Sequence, residues 1–253
     1  MSAPSPTAEN LHLKSLYFVL ALLTIFLPAS GHAKKAETDS GVHELVRRLE
    51  DEWAEIFYRL PPAVHAEKFE DLLARVHSVS EQYPNAADPL VLEAIVLCTY
   101  AGADIGLSSL RRVSEARELL IKAIDIDPRA MEGSAYITLG NLYYRLPGWP
   151  ISFGDNDSAR QYLESALKLY PNALDSNYFY GDFLLQQGEY DKALPYLEKA
   201  EKAPIRPYMA LSDVKLKEEV QRALIAAREK HEDYGDFFSR FLTAFFGDDS
   251  KAP

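Results

Sequence analysis

Side chains able to do covalent or metal chemistry are sparse in this sequence. A single cysteine, Cys98, allows no intramolecular disulfide and no cysteine metal cluster. It sits in an apolar helical run, which predicts a packing role rather than a reactive thiol. Beyond residue 33 the histidines are His43, His65, His77 and His231, and none has the H-E-x-x-H spacing that would hold zinc. No G-x-S-x-G elbow presents a serine nucleophile, and no G-x-x-x-x-G-K-[ST] loop cradles phosphate. Asp155-Asn-Asp157 begins like a calcium loop but lacks the third ligand, the turn glycine and the terminal glutamate, so helix capping accounts for it better. Glu93, inside an apolar helix, is a candidate perturbed carboxylate, with a surface or ion-paired position as the plainer expectation. We expect no catalysis, no metal and no cofactor, which leaves binding.

The elements that would position a binding site are helices. After Lys34 the chain alternates helical patterns with short polar or proline breaks, and no stretch sustains the period-two alternation of strands. Self-comparison shows a repeat. Ala159, Leu163, Ala166 and Pro171 have offsets of 0, 4, 7 and 12, and Ala116, Leu120, Ala123 and Pro128 have the same offsets. Ala193, Leu197, Ala200 and Pro204 match with the proline one residue early, and Leu72, Val76, Val79 and Pro84 keep the spacing with larger side chains. The first three positions share one helix face. Small residues there let a neighbouring helix approach closely, the aliphatic residue between them fills the gap, and the proline ends the helix. Gly140 and Gly181 are the small residues of the partner helices. Asp157 and Asp191 are candidate N-caps.

A small residue in the first helix, followed by Ala, a large apolar residue, Ala and Pro in the second, resembles the tetratricopeptide repeat, whose period is about 34 residues. Residues 174–207 fit best, through Gly181, Leu184, Ala193, Leu197, Ala200 and Pro204. The resemblance implies an all-α fold, an α-solenoid of about four antiparallel helix pairs. We expect pairs at about 43–84, 85–128, 131–171 and 174–204, a capping helix over 211–231 and a short amphipathic tail helix within 232–253. The repeat prolines are 44, 43 and 33 residues apart, so the two middle repeats carry insertions, around Gly102–Ser109 and Pro147–Asp155. In such arrays the first helix of each pair lines a concave face. The repeat register places Ser134, Ile137, Asn141 and Tyr144 on that face in the third pair, and Asp175, Tyr178, Asp182 and Leu185 in the fourth. Asn141, Tyr144, Asp175, Tyr178 and Asp182 could capture a peptide or small ligand by hydrogen bonds, or could simply be solvated or cap neighbouring helices. Through GWPISFGD and NYFYGDFL, residues 88–207 also resemble the periplasmic T-component proteins of tripartite ATP-independent transporters. That likeness implies a partner such as a periplasmic solute-binding protein, and a small apolar ligand.

Two aromatic segments remain. In Arg145–Gly154, Trp149 and Phe153 are candidate contact residues; we expect Trp149 to fold back between repeats, because a large aromatic usually buries its own area. The tail carries Phe237, Phe238, Phe241, Phe245 and Phe246 at helical spacing. It could close the array's own core, our first expectation. It could instead join subunits or a partner, which makes a homo-oligomer the alternative function. Membrane contact is the weakest reading, because the charges nearby are mostly acidic.

Residues 1–33 read as a leader. Leu16–Leu27 is apolar but would span only about 18 Å as a helix, short of a bilayer core of about 30 Å. The small residues after Pro28 suit cleavage after Ala33, with residues 34–42 as a linker. No cysteine follows the apolar run, so no lipoprotein is expected, and we expect a secreted or periplasmic location. With 27 Lys and Arg against 38 Asp and Glu, the net charge of −11 disfavours nucleic acid, whose binding needs clustered cations.

Overall fold

The computed structural model describes residues 30–104 and 107–231. The chain divides into two units, Met1–Gly41 and Val42–Pro253. Residues 30–41 of the first are helical, and all packing below belongs to the second. Residues 1–29 of the expected leader and the tail with Phe237, Phe238, Phe241 and Phe245 lie outside the described residues.

Nine helices account for the regular structure among the described residues: α1 (Ser30–Arg59), α2 (His65–Gln82), α3 (Ala87–Ala103), α4 (Leu107–Ile126), α5 (Ser134–Arg145), α6 (Asn156–Leu169), α7 (Leu174–Gln186), α8 (Tyr190–Lys202) and α9 (Ala210–Glu229). Short 3-10 turns at Pro62–Val64, Ala130–Gly133 and Pro207–Met209 connect some of them. Consecutive helices pack in pairs, α3 on α4, α5 on α6 and α7 on α8, and α9 covers the last pair. This is a tetratricopeptide-like α-solenoid. None of the described helices is long and apolar enough to cross a membrane.

The two helices of a pair bury themselves differently. α6 buries only Ala159, Leu163 and Ala166, and α8 only Ala193, Leu197 and Ala200. The repeated spacing is thus the whole buried stripe of an otherwise wet helix. α3 and α7 are buried around most of their circumference, which is why their sequences lack a clear polar face. Pro84, Pro128, Pro171 and Pro204 each follow the last helical residue by two positions, because the residue before proline is driven out of the α region.

Close approach is the reason for the glycines. A Cβ on Gly140 would lie 2.5 Å from Leu163 Cγ, and one on Gly181 would lie 2.7 Å from Leu197 Cδ2. Gly181→Leu is therefore expected to cost about 1–3 kcal/mol by overpacking, read as a lower urea midpoint. An unchanged midpoint would contradict the close contact. The helix starts differ from expectation by two residues. Asp155, not Asp157, caps α6: its Oδ1 accepts from the Asp157 N–H at 3.1 Å and its Oδ2 from Ser158 Oγ at 2.8 Å. α8 starts after Glu189, whose side chain makes no cap, and Asp191 lies inside its first turn. At the other end of α8, Lys217 of α9 donates to the carbonyls of Ala200 at 3.0 Å and Ala203 at 2.6 Å, satisfying acceptors that the helix end leaves open.

Candidate ligand cavity lined by the first helices

α1, α3, α5, α7 and α9 converge on one cavity of about 120 Å³, and none of the second helices α2, α4, α6 or α8 contributes to it. Leu92 and Ile95 of α3, Ile137 of α5, Phe179 of α7 and Leu216 of α9 make its apolar walls, and Trp53 of α1 adds an indole. Trp53 Nε1 donates to Thr99 Oγ1 at 3.2 Å, and that hydroxyl donates in turn to the carbonyls of Ile95 and Val96 at 3.0 Å. Cys98 also lines the wall; its thiol is buried and free, and burial pushes its pKa up to about 12, so it packs rather than reacts.

Besides the hydroxyls of Thr99, Ser134, Thr138 and Ser212, one amide and two carboxylates from three helices line this space. Asn141 is 1% exposed and donates from Nδ2 to its own helix at Ile137 O, 2.8 Å away, while its Oδ1 takes no hydrogen bond. Leaving such an acceptor buried and unmatched costs about 1–3 kcal/mol. Glu50 of α1 has no hydrogen bond or ion pair among the described residues. Burial is the main reason its carboxyl is pushed up to about 7; Asp175 and Asp51 raise it further, and Arg206 and Arg47 oppose the rise. Asp175 of α7 is held by Arg206 Nη2 at 2.7 Å, yet burial still raises its carboxyl. Arg206 is heavily subscribed. It grips Asp213 through Nε at 3.1 Å and Nη2 at 2.6 Å, and also bonds Glu132. One guanidinium thus serves three carboxylates.

Glu50 makes stability depend on pH in a definite direction. Below pH 4.5 its carboxyl is protonated folded or unfolded and costs nothing. Between 4.5 and about 7 the folded chain holds the extra proton, so stability falls as pH rises. Above that the full penalty remains, up to ~3 kcal/mol. Glu50→Gln is expected to leave the urea midpoint unchanged near pH 4 and to raise it at pH 8; an equal effect at both pH values would contradict this assignment.

Of the residues singled out from the repeat register, Asn141 and Asp175 line the cavity, beside Ser134 and Ile137. Tyr144, Tyr178 and Asp182 do not, and their assignment to the concave face is corrected. Tyr178 and Asp182 are fully buried. Asp182 accepts from Tyr144 Oη and from Arg145 Nη2, the latter at 2.5 Å, in an ion pair whose side chains are 0% and 8% exposed. These groups bind α5 to α7 instead of facing a ligand.

The α5–α6 loop also departs from expectation. Trp149 does not fold back; it is 89% exposed, beside the exposed Ile151. The loop closes on itself. Gly154 N donates to Pro147 O at 3.0 Å, and Asp155 N donates to Tyr143 O at 2.7 Å. Gly154 is required there, since a Cβ would lie 1.9 Å from Leu146 O. Phe153 is the residue that turns inward, edge-on to Tyr143 at 5.3 Å with the Arg117 guanidinium 5.1 Å above it. Glu93 is buried and paired: His77 Nδ1 lies 2.6 Å from its Oε1, which raises the His77 pKa.

The stacked pairs and the touching glycine and leucine are similar to one known repeat. A family model of the tetratricopeptide repeat matches residues 151–210. That segment is similar to a tetratricopeptide repeat. It covers α6, α7 and α8, including Gly181, Leu197 and Asp175. Tetratricopeptide repeats typically serve as protein-interaction scaffolds with an extended concave surface. No curated protein matches the chain. Sequence reasoning missed Glu50, Trp53 and Arg206. Glu50 was detectable in principle, because Val46, Glu50 and Trp53 follow one another at helical spacing and put an acid in an apolar stripe.

Proposed function

We propose that the chain is an exported, non-catalytic tetratricopeptide scaffold that captures a ligand or partner segment in the cavity of its first helices. One observation carries this reading: Glu50, Asn141 and Asp175, from three first helices, meet in an apolar cavity to which no second helix contributes. An array built only to hold itself together gains nothing from an unmatched Asn141 Oδ1 or a desolvated Glu50. Groups that cost stability at one place are what a binding site leaves behind. Trp149 and Ile151 offer a second contact surface on the loop. Export rests on the leader with cleavage after Ala33. The likeness to transporter T-components supports a periplasmic solute-binding protein as the partner class.

Ser212 lines the cavity from α9, so Ser212→Trp should plug it. The immobilised full chain, Ser212→Trp and Trp149→Ser would be compared for retention of periplasmic proteins, with melting temperatures measured beside. The reading expects a protein retained by the wild type and lost from a variant of unchanged melting. Identical retention by all three would overturn it.

A further inference from the structure

We propose that the first-helix cavity is a site for a primary ammonium carried on an apolar chain, with Asn141 Oδ1, Glu50 and Asp175 receiving the head group; this rests on the cavity being the binding site. The lining carries two carboxylates and no lysine, arginine or histidine. The orphan atom of Asn141 is an acceptor, because its Nδ2 is engaged with Ile137 O. All three polar groups therefore accept from donors, and Glu50 asks for positive charge as well, whereas Asp175 already takes Arg206 at 2.7 Å. An ammonium has three donors and no acceptor, which matches that demand. The cations nearby are committed elsewhere. Arg206 is shared among Glu132, Asp175 and Asp213, and Arg47 stacks 3.9 Å from the centre of the Tyr208 ring. Neither forms a hydrogen bond or ion pair with Glu50. Apart from the hydroxyls of Thr99, Ser134, Thr138 and Ser212, the rest of the lining is apolar or aromatic, with Trp53, Tyr58 and Phe179 among it. Such a wall excludes a hydrated metal ion but suits an alkyl chain, and aromatic rings attract an organic cation. A carboxylate or phosphate ligand would meet like charge.

The same ammonium could belong to a free alkylamine or to a lysine of a partner peptide, and the test separates them. The two tryptophans are Trp53, in the cavity wall, and Trp149, exposed on the loop. Trp149→Phe in the full chain leaves Trp53 as the sole reporter. Its fluorescence would be followed at pH 8 with n-hexylammonium, 1-hexanol, hexanoate and the peptide N-acetyl-Leu-Lys-Leu-amide. The expected result is saturation by hexylammonium, at least ten-fold weaker binding of hexanol and none of hexanoate. Asn141→Leu and Glu50→Gln should each weaken hexylammonium about ten-fold and leave hexanol unchanged. Circular dichroism would check both folds, and Glu50→Gln, only part-buried, keeps the test decisive if Asn141→Leu misfolds. Displacement of hexylammonium by the peptide supports the ammonium site with a lysine as its source. Failure of the peptide to displace it supports the same site with a free amine. Hexanol binding as tightly as hexylammonium would overturn the ammonium assignment and leave the cavity a ligand site. No saturation by any probe would overturn the assignment and the small-ligand part of the proposed function together.

Discussion

Asp182→Leu is expected to be among the most damaging single substitutions in the array, at about 3–5 kcal/mol. The carboxylate is fully buried, and it receives Arg145 Nη2 from α5 at 2.5 Å together with the Tyr144 hydroxyl. Removing it leaves a guanidinium whose side chain is 8% exposed facing leucine in a low-dielectric contact. The loss comes from the desolvated cation more than from the missing attraction. That distinction can be measured. Replacing both partners, Asp182→Leu with Arg145→Leu, should recover most of the stability, because a well-packed apolar pair is often as stable as a buried ion pair. Urea denaturation of the two single variants and the double variant gives the coupling directly. Additive losses would mean that the pair does not hold α5 to α7 as described.

Arg206→Met is expected to cost a similar amount, about 3–5 kcal/mol at neutral pH, for a complementary reason. Arg206 lies before α9 and ties three distant carboxylates together. Asp213 is in α9, Asp175 in α7, and Glu132 in the turn before α5. Asp213 is fully buried, and the Arg206 backbone N–H also donates to it at 2.7 Å. Without the guanidinium, α9 would dock on uncompensated negative charge. Acid should offset part of the loss, since protonation neutralises stranded carboxylates. The deficit against the wild type is therefore expected to shrink between pH 8 and pH 5 in urea titrations. A deficit constant across that range would place the role of Arg206 in packing alone.

What the sequence made legible was local. Ala159, Leu163 and Ala166 lie within two turns of one helix, so their shared burial follows from helix geometry without knowledge of the partner. The prolines work the same way. The cavity was half legible, because Asn141 and Asp175 could be placed by counting along the repeat. Counting failed for Tyr178 and Asp182. It assumes one open face per first helix, whereas α7 buries Leu174, Ser176, Asn177, Tyr178, Tyr180 and Gly181 against neighbours on several sides. It also failed for Trp149, because the hydrogen bonds that close that loop are backbone bonds and the inward aromatic is Phe153. Glu50 lies in a first helix without the glycine that marks the register in α5 and α7. The partners of Arg206 reach back 74 residues to Glu132, a distance at which periodicity says nothing.

The central claim is that function resides on the face of the first helices while the second helices are structural. A photo-crosslinking amino acid placed singly at four positions of the full chain tests it most directly. Thr138 lines the cavity, Trp149 is the exposed loop residue, and Lys168 and Lys199 are exposed on α6 and α8. After irradiation of intact cells producing the chain, adducts read by mass spectrometry are predicted from positions 138 and 149 and not from 168 or 199. Adducts concentrated at 168 and 199, with none at 138, would contradict it.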